Sequence, residues 1–186
     1  KYPSSYPIIW VKVEDDHSGY PRNSTTLLSK SVLMQKAYHP SVSSRSHGYN
    51  DEYCALKVWL NKSSYDSEYS ERGFLSYLGS GFVDSLLTTE LPCYGGGEYT
   101  YVKDKVCIPS YYEERRTLGL STKESQFTWL KDKDNRITLR HPTLESKSEL
   151  EYYWVRGGYE NRNDYLVRPI ESDRIVSITT YTDDTE

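Results

Sequence analysis

The stretch "PIIWVKVED" strings β-branched and aromatic residues together and then breaks at "DDHSGYPRN", where Asp, Ser, Gly, Pro and Asn cluster. This predicts a strand followed by a loop. Thr25 to Leu28 reads as a second strand, the partner in a hairpin, with a shorter apolar piece at Val32-Leu33-Met34. "HPSVSSRSHGYND" carries Ser, His, Gly and Pro40 and predicts an exposed connection.

From Asp51 the period lengthens. Cys54, Leu56, Val58, Trp59 and Leu60, then Phe74, Leu75 and Leu78, recur as on helices. Phe82, Val83, Leu86 and Leu87 share one helical face, which Pro92 and the Gly95-Gly96-Gly97 loop are expected to close. That loop lacks the Lys-Ser/Thr of a phosphate-binding loop. "YVKDKVCIPS" predicts a strand, and Ser110 with Glu113 three residues on has the spacing of a capping box, so a short helix is expected to begin at Ser110.

Beyond it the chain turns polar, with strand-like islands only at Phe127, Trp129 and Leu130 and at Ile137 and Leu139. "YYWVRGG", "DYLVRPI" and "RIVSITTY" close the chain as three β-type runs, and no solenoid-type repeat is visible. Strands, then helices, then strands predict an α+β domain with short helices and long loops, its terminal strands meeting in one antiparallel sheet.

A length of 186 residues suits one domain, 1–186. Lys1 opens the chain and Met34 is the only methionine, as expected of a processed chain or a piece of a longer one. The net charge is −4 with the basic residues scattered, so no nucleic-acid footprint is expected. Apolar runs are too short for a spanning helix, and no secretory leader is visible, so no membrane insertion is expected.

The hydrophobic fraction of 36% is low, and 19 Tyr compensate with rings that serve half-buried strands and binding surfaces alike. Cys54, Cys93 and Cys107 are widely spaced, without a Cys-x-x-Cys pair. They read as buried free thiols in a reducing cytoplasm, with one disulfide between two of them as the alternative.

Five pieces stand in a distinctive order: "WVKVEDD", "TTLLSKSVLMQKAYHP", "NDEYCALKVWLN", "VKDKVCIPSYYEE" and "YYWVRGGYENRNDYLVRPI". From Trp10 to Ile170 this order resembles a bacterial and phage family of domains without assigned function, whose members resemble the C-type lectin and formylglycine-generating-enzyme folds. Trp59-Leu60-Asn61, Asp104 to Glu113, Trp154 to Arg156 and Val167-Arg168-Pro169 stand at the family's motif positions. Cys107-Ile108-Pro109 and "WVRGG" depart from the usual pattern. The resemblance implies a C-type-lectin-like fold. Physically, Trp59 and Trp154 belong in a core, Arg156 and Arg168 suit buried carbonyls or carboxylates, and Pro169 suits a strand edge. Formylglycine-generating relatives use a late cysteine pair, and no Cys follows Cys107, so that activity is not expected here.

His17, His39, His47 and His141 all fall in loop-like segments. Glu14, Asp15 and Asp16 beside His17 are consecutive, unlike the alternate ligands of a calcium loop, so a solvated turn is expected there and no metal. Glu113-Glu114 reads as capping and surface charge. No catalytic constellation emerges, so neither enzyme activity nor a cofactor is expected. The candidate ligand-binding group is Tyr159, Asn161, Arg162, Asn163, Asp164 and Tyr165, assisted by Tyr94, Tyr99 and Tyr101 around the glycine loop. Tyr can stack on sugar faces while Asn, Asp and Arg bond hydroxyls, and the same set serves protein contacts or merely completes a turn.

The expectation is a recognition module of a phage tail or related particle, binding a host surface glycan or protein. The alternative is a decoration domain that contacts neighbouring virion subunits. Either would sit in the virion, or in the bacterial cytoplasm during assembly, as a homo-oligomer within the particle.

Overall fold

The computed structural model describes residues 7–33, 36, 40, 49–95, 98–110, 113, 126–132, 139–140, 153–154, 156 and 166–167. They form a mixed α and β fold of small, mostly antiparallel ribbons and short helices. Strand β1 (Trp10–Asp15) pairs antiparallel with β2 (Thr25–Ser29), with a bulge between Lys12 and Glu14. The predicted loop joins them through three left-handed residues, Asp16, Gly19 and Asn23, types that tolerate positive φ.

Helix α1 (Ala55–Leu60) buries Ala55, Leu56, Trp59 and Leu60, so three of the apolar positions read on it face inward, while Val58 is exposed. It ends at Asn61, whose side chain ties the turn after β7: Oδ1 accepts from Lys105 N (2.8 Å) and Val106 N (3.0 Å), and Nδ2 donates to Val106 O (2.8 Å). Next come β4 (Tyr65–Asp66) and β5 (Glu71–Arg72), paired antiparallel, and a 3-10 turn, Phe74–Tyr77. Gly73 joins them because a Cβ there would lie 2.1 Å from the Lys62 carbonyl oxygen. No other residue fits that approach.

Helix α2 (Ser80–Ser85) corrects the sequence reading. It stops before Leu86, buries none of its residues, and leaves Leu87 exposed. The chain is extended from there because Thr89 onward pairs with the Tyr-rich run beyond the glycines. This makes β6 (Thr89–Gly95) and β7 (Glu98–Asp104), a seven-pair antiparallel ribbon; β6 lies where a helix end and loop were expected, while β7 includes the start of the strand read from Tyr101. Pro92 is tolerated because a two-stranded ribbon leaves one side of β6 without ladder bonds.

Phe127, Trp129 and Leu130 also depart from expectation. They lie on a 3-10 turn, Thr128–Lys131, that packs against β1, with Phe127 just before it. Phe127 and Leu130, three residues apart, would face opposite sides of a strand, whereas the turn buries them together.

Short pairs finish the described fold: β3 (Ser31–Val32) runs parallel to β8 (Leu139–Arg140), and β9 (Tyr153–Trp154) pairs antiparallel with β10 (Leu166–Val167). Among the described residues β1 meets β2 rather than a C-terminal strand. The run 174–181, Arg168, Pro169 and the Trp154 side chain lie outside them.

The main core joins Tyr49, Cys54, Leu56, Trp59, Leu60, Phe74, Leu91, Cys93 and Val102, so Trp59 is a core residue as expected. Val13, Phe127 and Leu130 form a second cluster, and Tyr20 packs against both. None of Cys54, Cys93 and Cys107 is joined in a disulfide. Among the described residues no helix is long and apolar enough to cross a membrane.

Candidate binding surface and its buried anchor

Ser110 and Glu113 form the capping box that their spacing predicts. Glu113 N donates to Ser110 Oγ at 3.1 Å, and Ser110 N donates to Glu113 Oε2 at 2.8 Å. The surface-charge part of the expectation fails, because Glu113 is fully buried. Its remaining oxygen, Oε1, accepts from Arg156 Nη2 at 2.7 Å and from the Tyr20 hydroxyl at 2.7 Å. Both side chains of the Glu113–Arg156 pair are closed to solvent.

Arg156 spends its other donors on backbone. Nε donates to Pro92 O at 3.0 Å, Nη1 to Ile108 O at 3.0 Å, and Nη1 also faces Cys107 Sγ at 3.5 Å. Its own N–H bonds Pro109 O at 2.8 Å, beside a parallel bridge between Ser110 and Arg156. One side chain thus ties β6, the strand exit at 107–110 and Glu113 together. It satisfies both carbonyls and a carboxylate, as its motif position suggested.

Electrostatics follow from that geometry. Burial is the largest single influence and opposes charge on Arg156, but Glu113, with smaller help from Cys107, Tyr20 and Cys93, outweighs it and holds the guanidinium protonated above its ordinary range. Burial, then the Glu113 charge, pushes the Tyr20 phenol up. Burial raises the Cys107 thiol to about 12 against the opposing pull of Arg156. Such a thiol is a poor nucleophile at neutral pH. Behind it, the Tyr49 hydroxyl and Asp104 Oδ2 are buried without a hydrogen bond of ordinary geometry. Burial raises the Asp104 carboxyl, partly offset by its proximity to Tyr49, Lys57 and Arg156.

His17 overturns the solvated-turn expectation. It is 2% exposed, stacked against Tyr20 and Phe127, with Nδ1 at 2.5 Å from Glu14 Oε2. Glu14 Oε1 accepts from Thr128 Oγ1 at 2.6 Å. The aromatic residues that bury His17 come from the following turn and from far along the chain, which local composition could not reveal. The imidazole is sealed from substrate in this arrangement, so the pair ties β1 to the 128–131 turn. No group of three or more His, Cys, Asp or Glu suited to a metal occurs among the described residues.

Arg156 also defines where the sequence-predicted surface begins. Tyr159, Asn161, Arg162, Asn163, Asp164 and Tyr165 lie outside the described residues, but both ends of their segment are described. One end is Arg156, anchored on the Pro92 carbonyl. The other is β10, where Leu166 lies opposite Trp154. The neighbouring ribbon has an inner face of Leu91, Cys93 and Val102, all buried. On the other side of the ribbon Glu90 stands opposite Lys103, and Tyr101 and Tyr99 follow along β7, while Pro92, the partner of Tyr101 in the register, is buried. Tyr101 is 50% exposed, and Glu90 and Lys103 meet across the strands at 3.9 Å. The β6 strand was missed from sequence, although Tyr99, Tyr101 and Tyr94 around it were singled out.

The family described as "Domain of unknown function (DUF6273)" matches residues 22–185 of the chain. No curated protein and no solved structure compared with it gives a match.

Proposed function

The chain belongs to the DUF6273 family, and we propose that within it this protein is a non-enzymatic recognition module whose binding face combines the outer side of the β6–β7 ribbon with residues 159–165. One observation carries the reading: Arg156 fixes the root of that segment on the carbonyl of Pro92, two residues from Tyr94. Two stretches rich in Tyr, one of them also rich in Asn and Arg, therefore start from one rigid, buried anchor. Pre-organised aromatic surface lowers the entropic cost of binding.

The proposed ligand is a glycan or protein on a bacterial host surface, and the proposed setting is a phage tail or related particle. A C-type-lectin-like architecture belongs to the same proposal, supported by the motif order from Trp10 to Ile170. Tyr rings would stack on apolar sugar faces while Asn161, Asn163, Asp164 and Arg162 bond hydroxyls. Repetition on a symmetric particle would make weak single contacts sufficient. No cofactor is part of this reading.

The second reading is a decoration domain gripping neighbouring virion subunits. What favours it is apolar exposure away from the ribbon: Ile9 is 61% exposed beside Trp10, which meets Phe82 of α2 at 5.7 Å. Binding to whole bacterial cells and to a glycan array separates the two. Tyr159→Ala/Tyr165→Ala and Tyr99→Ala/Tyr101→Ala are each expected to abolish saturable binding while thermal unfolding stays nearly unchanged, and a chelator is expected to have no effect. Binding that survives both double substitutions removes this face from consideration. Absence of any binding, together with self-assembly in solution, favours decoration.

A further inference from the structure

At the edge of the main core, three side chains surround an ammonium group. Lys36 Nζ lies 4.3 Å from the ring centroid of Trp59 and 4.3 Å from that of Tyr69, and it forms an ion pair with Glu71 Oε1. Two aromatic faces and a carboxylate are the chemistry by which alkylammonium cations are recognised, with distances inside the roughly 6 Å reach of a cation–π contact. Lys36 is mostly buried there, its side chain 15% exposed.

The walls are held by bonds that do not involve Lys36. Trp59 sits on α1 with its Nε1 donating to Arg72 O at 3.1 Å, and its ring packs on Phe74 at 5.6 Å. Tyr69 is fixed by Asp66, whose Oδ1 accepts from Glu68 N at 3.0 Å and Tyr69 N at 3.2 Å. Asp66 is itself held by Lys62 at 3.1 Å. Glu71 belongs to β5, opposite Asp66 in the register. The Trp59 and Tyr69 rings lie 5.8 Å apart at 59°, and with Lys36 over both of them Trp59 is 1% exposed.

We propose that Trp59, Tyr69 and Glu71 form a recognition site for alkylammonium cations, and that Lys36 is a tethered occupant which an external quaternary ammonium displaces. A quaternary ammonium keeps the charge and presents methyl groups to both rings, so it loses less hydration on entry than a primary ammonium does. Lys36 competes from the same chain at an effective concentration on the order of millimolar. It sets a threshold that only a ligand presented at high local density, or carrying further contacts, overcomes. The site is independent of the ribbon proposed above, and neither stands or falls with the other.

The test titrates the intact chain and its Lys36→Met variant with choline. The neutral isostere 3,3-dimethyl-1-butanol and potassium chloride serve as controls, followed through the Trp59 indole NMR resonance. Saturable choline binding by the wild type is expected, with affinity rising about tenfold in Lys36→Met as the tethered competitor is lost. The isostere and potassium are expected to leave the resonance in place. Glu71→Gln and Tyr69→Leu, each in the Lys36→Met background, are expected to weaken binding at least about fivefold. Binding by the variant alone, with none by the wild type, overturns the proposal and makes Lys36 a permanent strut. So does equal binding of choline and its neutral isostere. Should Lys36→Met fail to fold, the wild-type titration with its two controls decides alone.

Discussion

Replacing Arg156 by Met keeps an apolar stem of similar reach but removes every donor that the guanidinium supplies. Glu113 is left as a buried carboxylate without its cation, and the carbonyls of Pro92 and Ile108 lose their donor. Breaking a buried pair from one side costs about 3–5 kcal/mol. Each stranded carbonyl adds about 1 kcal/mol or more where water cannot reach it. The expected loss is roughly 5 kcal/mol, a large share of the ~5–15 kcal/mol that holds a domain of this kind folded. Glu113→Gln strands the Arg156 charge instead, while its remaining carbonyl oxygen can still serve the cap, and is expected to cost about 3 kcal/mol. The double variant carries no buried charge, so it is expected to be more stable than the sum of the singles implies by about 2–3 kcal/mol. Urea unfolding with the m-value checked measures all four corners of the cycle. If the two losses add within about 0.5 kcal/mol, the pair is not coupled and the keystone role of Arg156 is wrong.

Asn61→Ala removes the clamp between the end of α1 and the turn at Lys105 and Val106, with an expected loss of about 2–3 kcal/mol in urea unfolding. Asp104 has a folded-state pKa raised above 3.8 by burial. Its contribution to stability is therefore fully present below that ordinary value and is lost as pH rises through the folded value. Asp104→Asn is accordingly expected to gain on the wild type as pH increases from 4 to 8 in matched unfolding series, and a wild type that instead gains on Asp104→Asn with rising pH refutes the assignment. With its thiol at about 12 rather than the ordinary 9.0, Cys107 is expected to alkylate at pH 8 roughly 10^3-fold more slowly in the folded chain than in urea, read by mass spectrometry. Without reductant, all three cysteines are expected to react once the chain is unfolded.

What could be read from sequence was local. The strand at Trp10, the helix face of Leu56, Trp59 and Leu60, and the Ser110–Glu113 cap are decided by neighbours within a few residues, and each appears as read. The failures are residues whose environment comes from far along the chain. Leu86 and Leu87 completed a helical pattern, but Thr89 to Gly95 had a strand partner across the glycines, and the pairing shortened the helix. His17 looked like part of a polar turn, yet Phe127 stacks on it at 4.5 Å from more than a hundred residues away. Glu113 illustrates both cases: its cap was legible from spacing, while its burial depends on Arg156, 43 residues later. The candidate 159–165 group was chosen from composition, and only its roots are placed by described residues.

Those roots separate what the fold must keep from what it is free to vary. Arg156 spends its main-chain N–H and all three guanidinium nitrogens inward, on Pro109, Pro92, Ile108, Cys107 and Glu113, so nothing of it remains for a ligand. Trp154 and Leu166 close the other side through the backbone pairing of β9 with β10, whose bonds do not depend on side-chain identity. The segment from Gly157 to Tyr165 therefore starts at a fixed point and returns to one. Substitutions in the Glu113–Arg156 anchor are felt through β6 and the 107–110 exit together. On the recognition reading proposed above, contact residues carried between two such fixed ends would be free to change without refolding the domain, as loops held by a rigid framework are.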